Sequence, residues 1–175
     1  ILTSTESKTL LITLVNMRIG FGYDVHQYTP NRPLWLGGIE VPSPKGLLGH
    51  SDADVLIHAL CDALLGAAGM RDIGYHFPDT PGNEYQGIDS KILLARVVEM
   101  LHDKGYRLGN CDITVCAQTP KLNPYIPQMQ ACLSQLLQVT TDCVSIKATT
   151  TEHLGFVGRE EGMSAYAVVL IQPID

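Results

Sequence analysis

The sequence predicts an α/β (α+β) fold: a two-layer sandwich in which a mixed four-stranded sheet carries its helices on one face. Three observations support this. Apolar runs of strand length recur at residues 18–26, 111–116, 143–148 and 165–171. Three segments, starting near Ser51, Asp89 and Ile126, repeat apolar residues at helical spacing. Between them come clusters rich in glycine, proline and aspartate, with no internal repeat or low-complexity tract.

Residues 18–26 read as a strand entering a loop, with Gly20 and Gly22 leaving room for another backbone or a ligand. Residues 34–41 are apolar but interrupted by Gly37-Gly38, as in a hairpin or a bulged strand. Residues 42–49 hold two prolines and two glycines and read as loop. From Ser51 the period becomes helical: Val55, Ala59 and Ala63 form one i,i+4 row, and Leu56, Leu60 and Leu64 the next. Ser51 or Asp52 is the expected N-cap, and Gly66 or Gly69 the expected stop. Residues 70–88 read as a long functional loop. A second helix spans 89–104, with Ile92, Leu93, Val97, Met100 and Leu101 inward and Gly105 closing it. Residues 120–124 form a turn before a third helix at 126–139.

A chain of 175 residues suits one domain with a real core, and 45% hydrophobic with 17% charged residues is a globular composition. The net charge of −6 argues against a surface that tracks nucleic acid. No apolar run approaches the roughly 18 residues that a membrane span requires. Five cysteines without a CxxC pair point to free thiols in a reducing compartment, so a cytoplasmic, bacterial-type location is expected. Residues 1–16 lack the marks of a leader, and Met17 directly precedes the first strand. They are expected to be an N-terminal extension or fusion scar outside a single domain at 17–175.

Asp24 and His26, two apart on a strand, project from one face. Alone, such a pair is more often a polar surface or capping pair. With His58 it becomes an Asp/His/His set suited to Zn²⁺ with an open fourth position. Asp54 and Asp62, one turn to either side of His58, offer a carboxylate for its second nitrogen. Residues 147–152 (KATTTE) end a strand in three hydroxyls and a carboxylate, suited to phosphate oxygens and a hard ion such as Mg²⁺. The 117–124 turn offers backbone amides and the Lys121 ammonium. There is no GxSxG motif and no P-loop. Metal-assisted phosphoryl transfer needs neither when the substrate supplies the nucleophile.

In order and spacing, GFGYDVH, GLLGHSDADVLIHALCDALLGA, RDIGYHFPDT, KGYRLGNCDITVCAQTPK, IPQM and KATTTEHLGFVGREEG resemble the 2-C-methyl-D-erythritol 2,4-cyclodiphosphate synthase family, from Met17 to about Gln172. The resemblance implies a lyase of non-mevalonate isoprenoid synthesis that cyclises a cytidyl substrate and releases CMP. It also implies a homotrimer with sites between subunits. Asp24, His26 and His58 would hold Zn²⁺ or another divalent transition metal, and Glu152 would contact Mg²⁺ or Mn²⁺ on the substrate diphosphate. His50 and Thr150 match catalytic positions; Asp24, His26, His50 and Ser51 would meet the erythritol phosphate. Asp72, Ile73, Gly74, Phe77, Pro78, Asp79, Thr80 and Pro81 match substrate-contacting segments. Ala117, Gln118, Thr119, Pro120, Lys121, Leu122 and Asn123, with Thr149, Thr150, Thr151 and Glu152, match the nucleotide and diphosphate end. Phe156 and Arg159 match residues near a threefold axis, where an isoprenoid diphosphate would bind. Pro81, Asn123 and His153 depart from the usual pattern. Two alternatives stand beside this one: a metal-dependent phosphohydrolase and an isoprenoid-diphosphate-binding module.

Overall fold

The computed structural model describes residues 16–78 and 87–174. Among the described residues, seven strands form two sheets. The larger runs in the order β4-β1-β7-β5-β6, built from β1 (Arg18–Pro30), β4 (Lys45–Leu47), β5 (Tyr106–Cys116), β6 (Val144–Thr149) and β7 (Gly162–Pro173). β5 and β6 run parallel and every other neighbouring pair is antiparallel, so the sheet is mixed as expected. It has five strands where four were expected. The fifth is β4, inside the segment read as loop: its three residues pair with Tyr28–Pro30 at the far end of β1. Three residues preceded by two prolines give no alternation to detect, and only the reach of the 13-residue β1 creates their partner. The second sheet is the hairpin β2 (Leu34–Leu36) and β3 (Ile39–Val41). Its two-residue turn, Gly37-Gly38, has positive φ at both positions, the geometry that suits the twist of a two-residue hairpin.

The helices are α1 (Val55–Ala67), α2 (Ile73–His76), α3 (Ser90–Asp103), α4 (Ile126–Leu137) and α5 (Gly155–Gly158). The central α1 packs on β1 and β7, α3 lies against α1 and β5, and α4 covers β6. Along α1, Val55, Leu56, Ile57, Ala59, Leu60, Ala63 and Leu64 are fully buried. Its N-cap is Asp54, two residues beyond the latest position expected, and its carboxylate accepts from Ile57 N at 3.0 Å. The same carboxylate accepts from Gly37 N at 3.0 Å and Gly38 N at 2.7 Å, tying the hairpin turn to the helix start. Ser51 and Asp52 stay in the preceding loop. In α3, Leu93, Val97 and Leu101 point inward as expected, but Ile92 is half exposed, because the apolar stripe runs through Leu94 and Val98 instead.

Close approach of α1 to β1 depends on two glycines. A Cβ on Gly20 would lie 1.9 Å from the Ala63 carbonyl oxygen, and one on Gly22 would lie 1.9 Å from that of Ala59. The neighbour foreseen for those glycines is therefore a backbone, that of α1. On the opposite face of β1 and β7, Ile19, Phe21, Tyr23, Val25, Tyr166 and Val168 are exposed, with no helix among the described residues over them. Among the described residues no helix is long and apolar enough to cross a membrane, and all five cysteines are free thiols.

Candidate active site

The α1–β1 contact brings the expected ligands together. Asp24 and His26 stand on the helix-facing side of β1, and His58 lies on α1 next to Ala59, whose carbonyl meets Gly22. Asp24 Oδ2 lies 3.0 Å from His26 Nε2 and 3.1 Å from His58 Nδ1, and the two nitrogens are 3.1 Å apart. Donors about 2.0–2.1 Å from a tetrahedral ion sit roughly 3.3–3.4 Å from one another. A spread of a few tenths of an ångström would therefore seat a divalent cation, and this trio is the group among the described residues placed to hold one.

The donor chemistry fits as well. His26 Nδ1 lies 2.8 Å from the Leu48 carbonyl oxygen, which can only accept. Nδ1 therefore carries a proton, and Nε2 is the ring atom turned toward Asp24 and His58. Burial would raise the Asp24 carboxyl, but the His26 and His58 hydrogen bonds and charges outweigh it and hold its pKa down at about 2. Burial likewise pulls the His26 imidazole down, and the Asp24 carboxylate more than reverses this.

The second nitrogen of His58 finds neither of the carboxylates expected for it. Asp54 is committed to capping and to the hairpin, and Asp62 accepts from Ile73 N at 2.8 Å. Nε2 instead meets the Ser51 and Ser90 hydroxyls at 3.1 and 3.0 Å. Ser90 opens α3, 32 residues away, and nothing in the local sequence marked it.

These ligands open into a cavity of about 400 Å³, which His50, Ser51, Ile73, Gly74 and Phe77 also line. The 49–51 loop at its mouth is clamped by Arg32, which donates to the Gly49 and Ser51 carbonyls at 2.8 and 2.6 Å. Sequence reasoning missed Arg32, since a lone arginine after a strand carries no spacing signal. Asp72 caps α2, accepting from Tyr75 N at 2.9 Å, and does not line the cavity. Pro78 adjoins Phe77 but is likewise not among the lining residues. Asp79, Thr80 and Pro81 lie outside the described residues, as does the expected extension apart from Asn16.

A second cavity of about 210 Å³ gathers Ala117, Gln118, Pro120, Lys121, Leu122 and Asn123 with Thr149 and Thr150, the set expected at the nucleotide end. Gln118 Oε1 is buried there without a hydrogen-bond partner among the described residues. Thr119 turns its carbonyl to the Tyr28 hydroxyl. Thr151 donates to the Leu154 carbonyl at 2.7 Å, and Thr150 lies within 3.5 Å of the exposed Glu152 carboxylate. Arg159 is held by Glu161 at 2.8 and 3.0 Å, while the nearby Phe156 is 37% exposed.

The two cavities share no lining residue. Val25, Ser164, Cys116 and Thr149 lie in register across β1, β7, β5 and β6. At about 4.8 Å per strand the metal ligands and Thr149 are separated by roughly 14 Å of sheet.

Fold and site together define an α+β protein with an Asp/His/His set placed to hold a cation and a separate cavity at the ends of β5 and β6. The chain belongs to the YgbB family, whose model matches residues 17–172. It is 65% identical over 158 residues to the 2-C-methyl-D-erythritol 2,4-cyclodiphosphate synthase of Parabacteroides distasonis, covering 90% of this chain and 98% of that one. Among solved structures it resembles the bifunctional IspDF from Campylobacter jejuni (TM-score 0.87, 42% identity), covering 91% of this chain but 43% of that longer one. It also resembles a Plasmodium falciparum IspF CDP complex (TM-score 0.81, 32% identity), covering 91% and 98% of the two chains.

Proposed function

We propose that this chain cyclises 4-diphosphocytidyl-2-C-methyl-D-erythritol 2-phosphate to 2-C-methyl-D-erythritol 2,4-cyclodiphosphate and releases CMP. The carrying observation is the convergence of Asp24 Oδ2, His26 Nε2 and His58 Nδ1 at the mouth of a cavity. The substrate's 2-phosphate oxygen attacks the β-phosphorus, the bond from that phosphorus to the α-phosphate oxygen breaks, and CMP departs with the electron pair. Zn²⁺ in the trio would act as a Lewis acid on phosphate oxygens, with Mg²⁺ beside Glu152 neutralising diphosphate charge. The residues supply alignment: His50 and Ser51, on the loop clamped by Arg32, meet the erythritol end. Gln118, Lys121 and the 117–123 backbone meet the nucleotide, a reading supported by the CDP complex of the Plasmodium falciparum relative. Thr149, Thr150 and Thr151 lie at the diphosphate end, where Thr150 stands beside the Glu152 carboxylate. The five free thiols support a cytoplasmic location.

The same reading makes the active form a homotrimer. Two cavities roughly 14 Å apart across the sheet, with no shared wall, support a site completed by a neighbouring copy. The exposed Ile19, Phe21, Tyr23, Val25, Tyr166 and Val168 face supports burial of that side in the assembly. Phe156 and Arg159 would then stand near the axis, where an isoprenoid diphosphate would bind.

Phosphorus NMR of the product made from the cytidyl substrate tests the chemistry. A cyclic diphosphate with one equivalent of CMP is expected, and a linear product would mean that water is the nucleophile. Mixing His58→Ala and Lys121→Ala chains tests the assembly. Random re-assembly unites an intact metal half with an intact nucleotide half at about a quarter of the sites, so activity should rise well above either parent. A mixture that only averages its parents, with subunit exchange demonstrated, places both halves in one chain.

A further inference from the structure

We infer that the Tyr28 hydroxyl is a positioning group for nucleotide recognition: it holds the Thr119 carbonyl from behind the second cavity and so fixes the course of the 117–123 turn. The inference rests on the reading that this turn meets the nucleotide, and it assigns a task to a residue which that reading does not use.

Tyr28 follows Asp24 and His26 on β1 at the strand's period of two, so its side chain leaves the same side of the strand. Its backbone is fixed from both flanks: it is in register with Leu47 of β4, and its N–H donates to the Glu161 carbonyl at 2.9 Å. The ring packs at the margin of the hydrophobic core, with Lys45 Nζ 5.8 Å from its centroid. From this base the O–H donates to the Thr119 carbonyl, 91 residues away. The direction of the bond is certain, because a carbonyl can only accept.

Thr119 does not itself line the cavity, whereas Ala117, Gln118, Pro120, Lys121, Leu122 and Asn123 on either side of it do. The phenol therefore reaches the wall from outside and leaves the lining free. The ends of that wall have their own ties: Ala117 N donates to the Thr149 carbonyl and Tyr125 N to the Leu122 carbonyl, each at 2.9 Å. Thr119 falls between them, after β5 has ended at Cys116 and before the helical turn that opens at Asn123. Anchoring its carbonyl divides the turn into two short spans. A backbone already held in place loses less freedom when a ligand arrives, so affinity rises without a new contact. The tie stays within the sheet layer, passing from β1 beside the start of β7 to the turn after β5, and does not involve α1.

The test uses the full chain with CMP as the probe in calorimetric titration, and ¹³C-carbonyl threonine to follow Thr119 by NMR. Tyr28→Phe removes one oxygen and keeps the ring. The loss of affinity is bounded by the worth of one hydrogen bond, so the CMP dissociation constant should rise about 2- to 10-fold. The Thr119 carbonyl resonance should move, while bound metal stays at the wild-type level. In turnover the effect should fall on KM, with kcat nearly unchanged, since the turn is held alike in ground and transition states. If wild type does not bind CMP, the nucleotide reading fails and this inference falls with it. If wild type binds CMP and Tyr28→Phe matches it within about 1.5-fold, the nucleotide reading stands and the positioning role is overturned. An unmoved Thr119 carbonyl also overturns it, because no bond was then lost. A joint fall in Tm, metal content and CMP affinity would show that the hydroxyl only holds the fold, which overturns it equally.

Discussion

Gly22→Ala should damage the metal half from outside it. In a strand, alanine normally stabilises relative to glycine by roughly 0.5–1 kcal/mol. Here the added Cβ would stand 1.9 Å from the Ala59 carbonyl oxygen and 2.7 Å from Ala63 N, where real contacts do not fall below 3.0 Å. Both obstacles are backbone of α1, so no rotamer relieves them, and β1 must separate from α1 by at least about 1.1 Å. Overpacking of this kind costs about 1–3 kcal/mol, which in a chain of this size lowers Tm by roughly 2–12 °C. The chemical consequence is larger. Asp24 and His26 ride on β1 and His58 on α1, and a metal site tolerates only about 0.2 Å in its bond lengths. Metal content by atomic emission, melting by calorimetry and turnover should all fall together. Gly66→Ala is the control: its Cβ would meet nothing nearer than 4.0 Å, so the helix should gain stability and the metal should stay. A Gly22→Ala protein that melts within about 1 °C of wild type and holds one ion per chain would refute the claim that this contact sets the ligand spacing.

Three further outcomes are expected. His58→Ala should remain folded but lose most bound Zn²⁺ and nearly all turnover, measured by metal analysis and CMP release; full metal content would end the ligand assignment. Glu152→Gln keeps size and removes charge, so zinc content should hold while Mg²⁺ dependence weakens and turnover falls; a loss of zinc instead would move Glu152 to the other centre. Asp54→Ala should cost about 3 kcal/mol or more in denaturant unfolding, since it leaves the Gly37, Gly38 and Ile57 N–H groups without their acceptor; a cost below about 1 kcal/mol would show that water replaces it.

The parts of the site legible in the sequence were those fixed by period. Asp24 and His26 share a face because strands alternate, and His58 falls on a helix whose rows were plain. The expected N-cap failed because Ser51, Asp52 and Asp54 are all good capping residues, and only the hairpin turn selects Asp54. The partner of His58 failed for a related reason. Asp54 and Asp62 were near along the helix, but each was already engaged by a backbone N–H from another element. Ser90 is distant in sequence and arrives only through the packing of α3 on α1. Short β4 escaped because three residues have no period, and its pairing is decided by the length of its neighbour.

The distance between Asp24 and His58 is therefore a packing outcome before it is a chemical one. It depends on the absence of side chains at Gly20 and Gly22 and the smallness of Ala59, Ala63 and Ala67 on the facing helix. Larger residues at these contacts would leave the three ligands intact in the sequence and too far apart to chelate. The second cavity has no such dependence: its lining comes from the ends of β5 and β6 and the turn after β5, on the far side of β7. Substitutions in the α1–β1 seam should thus remove metal while leaving nucleotide binding in place. Separate control of the two halves is what a site assembled from two copies of the chain requires, because each copy must present a finished half to a different neighbour.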